Sequence, residues 1–221
     1  MHRRIVGIAL ALTLAACGSN GTATPASSGA TATAMPAGTY TSKVFQPAVT
    51  YTVPDGWVVG ADQPSYLELH PVETDVLGIH LFLNPVASSQ DKACPTTPEP
   101  GVGKTSTELM TWMRGLKGLV VGTPALVTVG TLRGVSVDIG LAPDWTQSCS
   151  FANGIPTVPL IQNADIDRWV IAGGERLRLY LLDLAGGGTL AVDIDDFNGS
   201  QITQLIGEAA PIVKTLQVAG G

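Results

Sequence analysis

Two histidines are the first side chains in this sequence that could do acid–base chemistry. A histidine acts as a general acid or base only when a partner or a substrate group lies within hydrogen-bond reach. His70 and His80 have no such partner beside them in sequence. Neither has metal-ligand spacing with a cysteine. We therefore expect hydrogen-bonded surface histidines on or beside neighbouring strands, and no metal site.

Three aspartates form the densest group of carboxylates. Asp193, Asp195 and Asp196 could bind calcium, but calcium loops space their oxygen ligands regularly around a turn glycine. These aspartates instead end a predicted strand just before a predicted helix, and acidic side chains are stabilising at a helix N-terminus. The sequence favours a capping role.

Familiar catalytic motifs are absent from the sequence. It contains no Gly-x-Ser-x-Gly and no His-Glu-x-x-His. The run from Gly101 to Ser106 is similar to part of a phosphate-binding loop but lacks the spacing to a first glycine. We predict no catalytic residue and no cofactor.

A further residue that could do chemistry, Cys17, follows a three-part N-terminal segment. Its parts are a basic start (residues 1–4), an apolar run (5–14) and the small residues Ala15 and Ala16. This order is typical of a secretory signal. The apolar run of about ten residues is half the roughly 20 that a spanning helix needs.

Leu14-Ala15-Ala16-Cys17 resembles the lipobox of bacterial lipoproteins. The resemblance implies that residues 1–16 are a signal peptide cut before Cys17, whose thiol receives a diacylglycerol. Two acyl chains give a stable anchor where one does not. We expect a protein held on the extracytoplasmic face of the cell membrane. The alternative is an ordinary signal peptide with a chance cysteine.

Composition indicates how the chain divides into a linker and a folded domain. Residues 18–38 are small or polar and uncharged, so we predict a lipidated cysteine and flexible linker over 17–39 and one domain over 40–221. The chain has a formal net charge of −6. This charge argues against a nucleic-acid partner, which requires a basic face.

Apolar periodicity and turn residues predict ten strands and two helices. The strands span 49–53, 57–59, 66–69, 77–83, 125–129, 134–139, 158–161, 169–172, 177–184 and 189–194. Thr105 and Glu108 form a capping box for a helix over 105–115, whose apolar stripe is Leu109, Trp112, Met113 and Leu116. Ser200 is the predicted cap of a second helix that Pro211 kinks or restarts, with Ile202, Leu205, Ile206, Ala209, Val213 and Leu216 facing inward. This order indicates an α+β domain: a central antiparallel sheet with packed helices.

Two long loops, 84–103 and 141–155, carry the remaining cysteines. In an oxidising compartment we expect Cys94 and Cys149 to form a disulfide, which would add about 4 kcal/mol of stability on the chain-entropy model. Long loops in compact domains are often functional. The bridge would place Asp144, Trp145, Phe151 and Asn153 on one edge as a candidate binding site. The alternatives are free thiols, or a bridge that only restrains the loops.

The opening Phe45-x-Pro47 and Tyr51-Thr52-Val53-Pro54-Asp55-Gly56-Trp57, with this element order, resembles actinobacterial lipoproteins of the Mog1/PsbP-like fold, such as the LpqN type. The resemblance covers about residues 40–218 and implies an α/β/α sandwich with a binding or scaffolding role. We therefore expect a non-catalytic binding or accessory domain, with an apolar ligand or a cell-envelope protein as partner. A cell-envelope enzyme and a structural subunit of a membrane complex are the alternatives.

Overall fold

The computed structural model describes residues 33–220, which form 14 strands, two α-helices and one 3₁₀ helix. The strands are β1 (Gly38–Thr41), β2 (Val49–Val53), β3 (Trp57–Asp62), β4 (Tyr66–Pro71), β5 (Leu77–Leu83), β6 (Val86–Ala87), β7 (Leu119–Val121), β8 (Ala125–Val129), β9 (Leu132–Leu141), β10 (Thr157–Gln162), β11 (Trp169–Ala172), β12 (Arg176–Asp183), β13 (Thr189–Asp196) and β14 (Gln217–Val218). The helices are α1 (Ser106–Gly115), α2 (Ile202–Lys214) and the 3₁₀ helix Ser150–Ala152. Within residues 33–220, no helix is long and apolar enough to cross a membrane.

An antiparallel sheet of eight strands forms the centre of the domain. Its order is β3-β4-β5-β13-β12-β9-β7, and β8 also pairs with β9, beyond the end of β7. The hairpin of β12 and β13 lies in the middle and pairs with β9 on one side and β5 on the other. Two sheets of three strands, β1-β2-β14 and β11-β10-β6, complete the fold.

The main sheet has an apolar core on each face because successive side chains of a strand point to opposite faces. On one face, Ile79 and Val192 pack with Leu205 of α2. On the other, Leu179 packs with Leu109 of α1. One helix therefore lies on each side of a mostly antiparallel sheet, which confirms the predicted α+β class.

The two helices begin differently. The capping box of α1 is confirmed: Thr105 Oγ1 accepts from Glu108 N at 3.3 Å, and Glu108 Oε2 accepts from Thr105 N at 3.1 Å. The predicted cap of α2 at Ser200 is wrong. Gln201 is the N-cap residue and makes no side-chain cap bond. The carboxylate of Asp196 accepts from the Gln201 backbone N–H instead.

The structure also corrects two predicted boundaries and adds strands. Backbone pairing begins inside the predicted linker 17–39, because Met35 bridges to Trp57 and β1 starts at Gly38. The predicted loop 84–103 contains β6 and a bridge between Ser88 and Pro98. Four short strands are absent from the predicted set, because two to four residues are too few to show a period: β1, β6, β7 and β14. Signal residues 1–16 and Cys17 lie outside the described residues.

Candidate functional site

The predicted disulfide is present and lies beside a cavity that Cys94 lines. Cys94 and Cys149 are bonded, with Cα atoms 5.7 Å apart. A cavity of about 390 Å³ lies between their loops and the end of α1. Trp145 lines it, and its indole Nε1 donates to the carbonyl of Thr157 at 3.0 Å. This bond ties the ring to the cavity wall.

The other three predicted binding residues do not line that cavity. Asp144 and Asn153 are exposed. Phe151 is 43% exposed and lies under the guanidinium of Arg168, 4.5 Å from the ring centre. The structure therefore brings only Trp145 of the predicted set to the disulfide cavity.

A buried polar group lies on the α1 face of the main sheet. His80 of β5 is 6% exposed, so its predicted surface location is wrong. Its Nδ1 lies 2.8 Å from the hydroxyl of Tyr66, and its Nε2 lies 2.8 Å from Asp195 Oδ1 without hydrogen-bond alignment. His70 differs: it is half-buried and its Nδ1 contacts the carbonyl oxygen of Thr74 at 2.8 Å.

Two further carboxyls complete this group, which we call the His80 cluster: Tyr66, His80, Glu175, Asp193 and Asp195. Asp193 Oδ2 accepts from the indole N–H of Trp169 at 2.8 Å. Glu175 Oε2 accepts from the backbone N–H of Ala172 at 2.8 Å. The predicted capping role is therefore right for Asp196 and wrong for Asp193 and Asp195, which point to the opposite face.

Burial governs protonation in the His80 cluster. Burial, followed by the charge of Asp195, raises the pKa of Glu175 to about 8. The same two causes raise the pKa of Asp193 well above its usual range. Burial, followed by the charge of Glu68, also raises the pKa of the Tyr66 hydroxyl. Because burial disfavours the charged form of each acid, the cluster can hold protons at neutral pH.

Access limits what this cluster can do chemically. A Tyr–His–Asp chain has the residue types of acid–base catalysis. Here Tyr66 is 5% exposed and Asp195 7% exposed, and Trp169 packs 4.5 Å from the ring of His80. A substrate therefore has little access to the histidine in this structure. Among residues 33–220, no group of three His, Cys, Asp or Glu side chains is placed to hold a metal ion.

An open groove lies on the opposite face of the sheet, between β9, β12 and the first turns of α2. Its volume is about 530 Å³. We call it the arginine groove; it is lined by Val120, Asp138, Gly140, Pro143, Arg176, Arg178, Ile202, Thr203 and Ile206, with backbone of neighbouring residues. Volumes of 300–1,000 Å³ and mostly apolar walls are usual for small-molecule sites.

The groove forms where part of the sheet is not covered by helix α2. The helix α2 packs on β13, β5 and β12, so the side chains of β9 on this face have no helix above them. Ile202 and Ile206, predicted to face inward, are only half-buried and form one wall. A Cβ on Gly140 would lie 2.5 Å from Arg176 Nη1, so the absence of a side chain at this position leaves room for the guanidinium.

Two arginines give the groove its charge. Arg178 donates to both carboxylate oxygens of Asp138, at 2.6 and 2.9 Å, and this hydrogen bonding raises the pKa of Arg178. Arg176 is exposed and donates from Nη1 to the carbonyl of Glu175 at 3.1 Å. Among residues 33–220, Arg176 has no acidic side chain within 4.0 Å. Within the described part of the chain, the groove thus presents one neutralised cation, Arg178, and one cation without an acidic partner, Arg176.

The arginine groove was not among the predicted sites, although the sequence carries a signal for it. Arg176, Arg178 and Tyr180 alternate with leucines along β12, so both arginines share a face. Nothing in the sequence shows which segment covers that face, because α2 and β9 reach it from distant positions.

Comparisons with known proteins identify no family. No protein-family model and no curated protein matches the chain. The chain is similar to the solved structure of cyanobacterial PsbP (CyanoP) from Synechocystis sp. PCC 6803, at 7% identity and a TM-score of 0.42 over 93% of this chain and 98% of that one. It is also similar to a Bacteroides thetaiotaomicron VPI-5482 protein, at 10% identity and a TM-score of 0.37 over 77% of this chain. The match spans 44% of the Bacteroides protein.

Proposed function

We propose that this protein is an exported, lipid-anchored binding domain that holds an apolar ligand in the arginine groove. The observation that carries the proposal is the groove itself: an open space of about 530 Å³ with apolar walls between the sheet and α2. The resemblance of residues 40–218 to Mog1/PsbP-like lipoproteins, including the LpqN type, agrees with a binding role.

The sequence of the first 38 residues supports the anchor. The basic start, the short apolar run and the small residues before Cys17 match an exported lipoprotein. Mass spectrometry of the N-terminal peptide tests this part. We expect a diacylated Cys17 as the first residue, and loss of membrane attachment in Cys17→Ser.

Binding, rather than catalysis, is favoured by accessibility. The residues that could perform acid–base chemistry are buried in the His80 cluster, whereas the arginine groove opens to solvent. Catalysis in the groove would need a nucleophile or general base. Among the described side chains that line the groove, Asp138 is the one general base, and it is already paired with Arg178. The hydroxyl of Thr203 therefore has no unpaired base in this lining to activate it as a nucleophile.

A neutral apolar fluorophore tests the groove. The full chain carrying Cys17→Ser has no acceptor thiol for the lipid, and we expect it to bind N-phenyl-1-naphthylamine with a rise in fluorescence. Thr203→Trp places a large ring in the groove and should weaken binding about tenfold. Gln204→Trp is the matched control, because Gln204 is equally exposed on α2 but lies outside the groove. Equal binding by both variants would contradict the proposal.

A further inference from the structure

Building on the proposed function, we propose that the ligand of the arginine groove is a single-chain amphiphile with one anionic headgroup that Arg176 binds. The groove combines a free guanidinium with apolar walls, and these two features select opposite ends of such a molecule. The headgroup chemistry is a carboxylate or phosphate oxygen, which guanidinium groups bind in pairs of parallel hydrogen bonds.

The charge of the groove favours an anion. Arg178 is neutralised by Asp138, but Arg176 uses one of its five N–H donors on protein, the Glu175 carbonyl, among residues 33–220. Its remaining donors are free to bind a ligand. The guanidinium lies against Gly140, whose lack of a side chain leaves room for it.

The first turn of α2 adds to this preference. Ile202 and Thr203 line the groove, so the positive end of the helix dipole lies beside it. That turn contains no acidic residue. The carboxylate of Asp196 caps the Gln201 N–H and offsets part of the dipole. The helix is therefore a supporting contribution, and Arg176 is the main one.

The apolar walls define the other end of the ligand. Ile202 and Ile206 are half-buried on the helix side, and Val120 is 54% exposed on the sheet side. These side chains flank an open channel and suit an alkyl chain that lies along it. A headgroup without a chain would use Arg176 alone, and such an exposed contact is weak in water.

Displacement of N-phenyl-1-naphthylamine from the full chain carrying Cys17→Ser tests the headgroup. The competitors are decanoate, decyl phosphate, 1-decanol and inorganic phosphate. We expect decanoate or decyl phosphate to displace the fluorophore at concentrations about tenfold lower than decanol. Inorganic phosphate should displace none. A stronger effect of decanoate identifies a carboxylate source, and a stronger effect of decyl phosphate a phosphate source.

Variants of Arg176 assign the effect to this side chain. Arg176→Gln should remove the advantage of the anions over decanol, and Arg176→Lys should keep part of it. Arg133→Gln is the control, because it removes an equal charge from an exposed site on β9 outside the groove. Melting temperatures establish that each variant is folded.

Two outcomes overturn the inference. One is displacement by decanol at the same concentrations as by the anions. The other is an advantage of the anions that survives in Arg176→Gln. Both leave the proposed function standing, since the fluorophore still binds. Failure of the fluorophore to bind, or its insensitivity to Thr203→Trp, defeats the proposed function itself.

Discussion

The His80 cluster and the arginine groove lie on opposite faces of one sheet, and each contains a close pair of ionisable side chains, one basic and one acidic. His80 and Asp195 approach to 2.8 Å with side chains 8% and 10% exposed. Arg178 and Asp138 approach to 2.6 Å with side chains 32% and 59% exposed. The difference in burial decides what each pair does. The buried pair affects folding and protonation, while the exposed pair costs little to rearrange around a ligand.

The largest expected effect is the loss of stability when the buried His80–Asp195 pair is broken. His80→Leu removes the polar imidazole beside the buried Tyr66 hydroxyl and the Asp195 carboxyl, and we expect a loss of about 1–3 kcal/mol in the free energy of unfolding for each group that loses its partner. Arg178→Leu, the matched change in the exposed pair, should cost about 1 kcal/mol or less. Urea denaturation of both variants measures the contrast. Equal losses would show that burial does not separate the two regions.

The disulfide provides a third region for the comparison. The variant with Cys94→Ser and Cys149→Ser should lose about 2–4 kcal/mol of stability, because the bridge closes a loop with a sequence separation of 55 residues. We expect fluorophore binding to stay unchanged, since neither cysteine lines the arginine groove. Loss of binding in the folded variant would move the ligand site to the disulfide cavity beside Trp145.

The His80 cluster should make stability depend on pH. The pKa of Glu175 is about 8 in the folded protein against an ordinary value of 4.5. The folded state therefore keeps a proton that the unfolded chain releases. The stabilisation is complete below about pH 4.5 and is lost as pH rises towards 8, amounting to a few kcal/mol at most.

Glu175→Gln keeps an oxygen that can accept the hydrogen bond from the Ala172 N–H, and it removes this titration. We expect the melting temperature of the variant to fall less between pH 5 and pH 8 than that of the wild type. Glu208→Gln on exposed α2 should follow the wild type. Parallel curves for wild type and Glu175→Gln would assign the pH dependence to other groups, Asp193 first.

The smallest expected effect sharpens the role of the exposed pair. Asp138→Asn releases Arg178 from its partner and removes a negative charge from the groove. Decanoate should then bind a few times more tightly, with little change for decanol. Fluorophore displacement measures both. A gain for decanol equal to that for decanoate would indicate a change of shape rather than of charge.

Local patterns predicted the elements better than the sites. The capping box at Thr105 and the run from Leu77 to Leu83 appear as predicted, because capping chemistry and strand length are local properties. The burial of His80 could not be predicted in this way. Six of the seven residues of β5 are buried and both of its faces are covered, so the usual alternation disappears.

Sites formed by distant segments could not be predicted from the sequence for a related reason. Arg176 and Arg178 show the same-face spacing of a strand, but α2 and Gly140 give that face its function as a groove. The prediction of a binding site within residues 144–153 rested on the length of the loops and on the expected disulfide. The structure places only Trp145 of that set at the disulfide cavity.

Paramagnetic NMR with spin-labelled decanoate tests the central claim most directly. The full chain carrying Cys17→Ser is titrated and the broadening of assigned methyl and indole signals is mapped. Binding in the arginine groove predicts that the Ile202 and Ile206 methyl signals broaden much more strongly than the Trp145 and Trp169 indole signals. Broadening centred on Trp145, with Ile202 and Ile206 unaffected, would contradict it and place the ligand at the disulfide cavity.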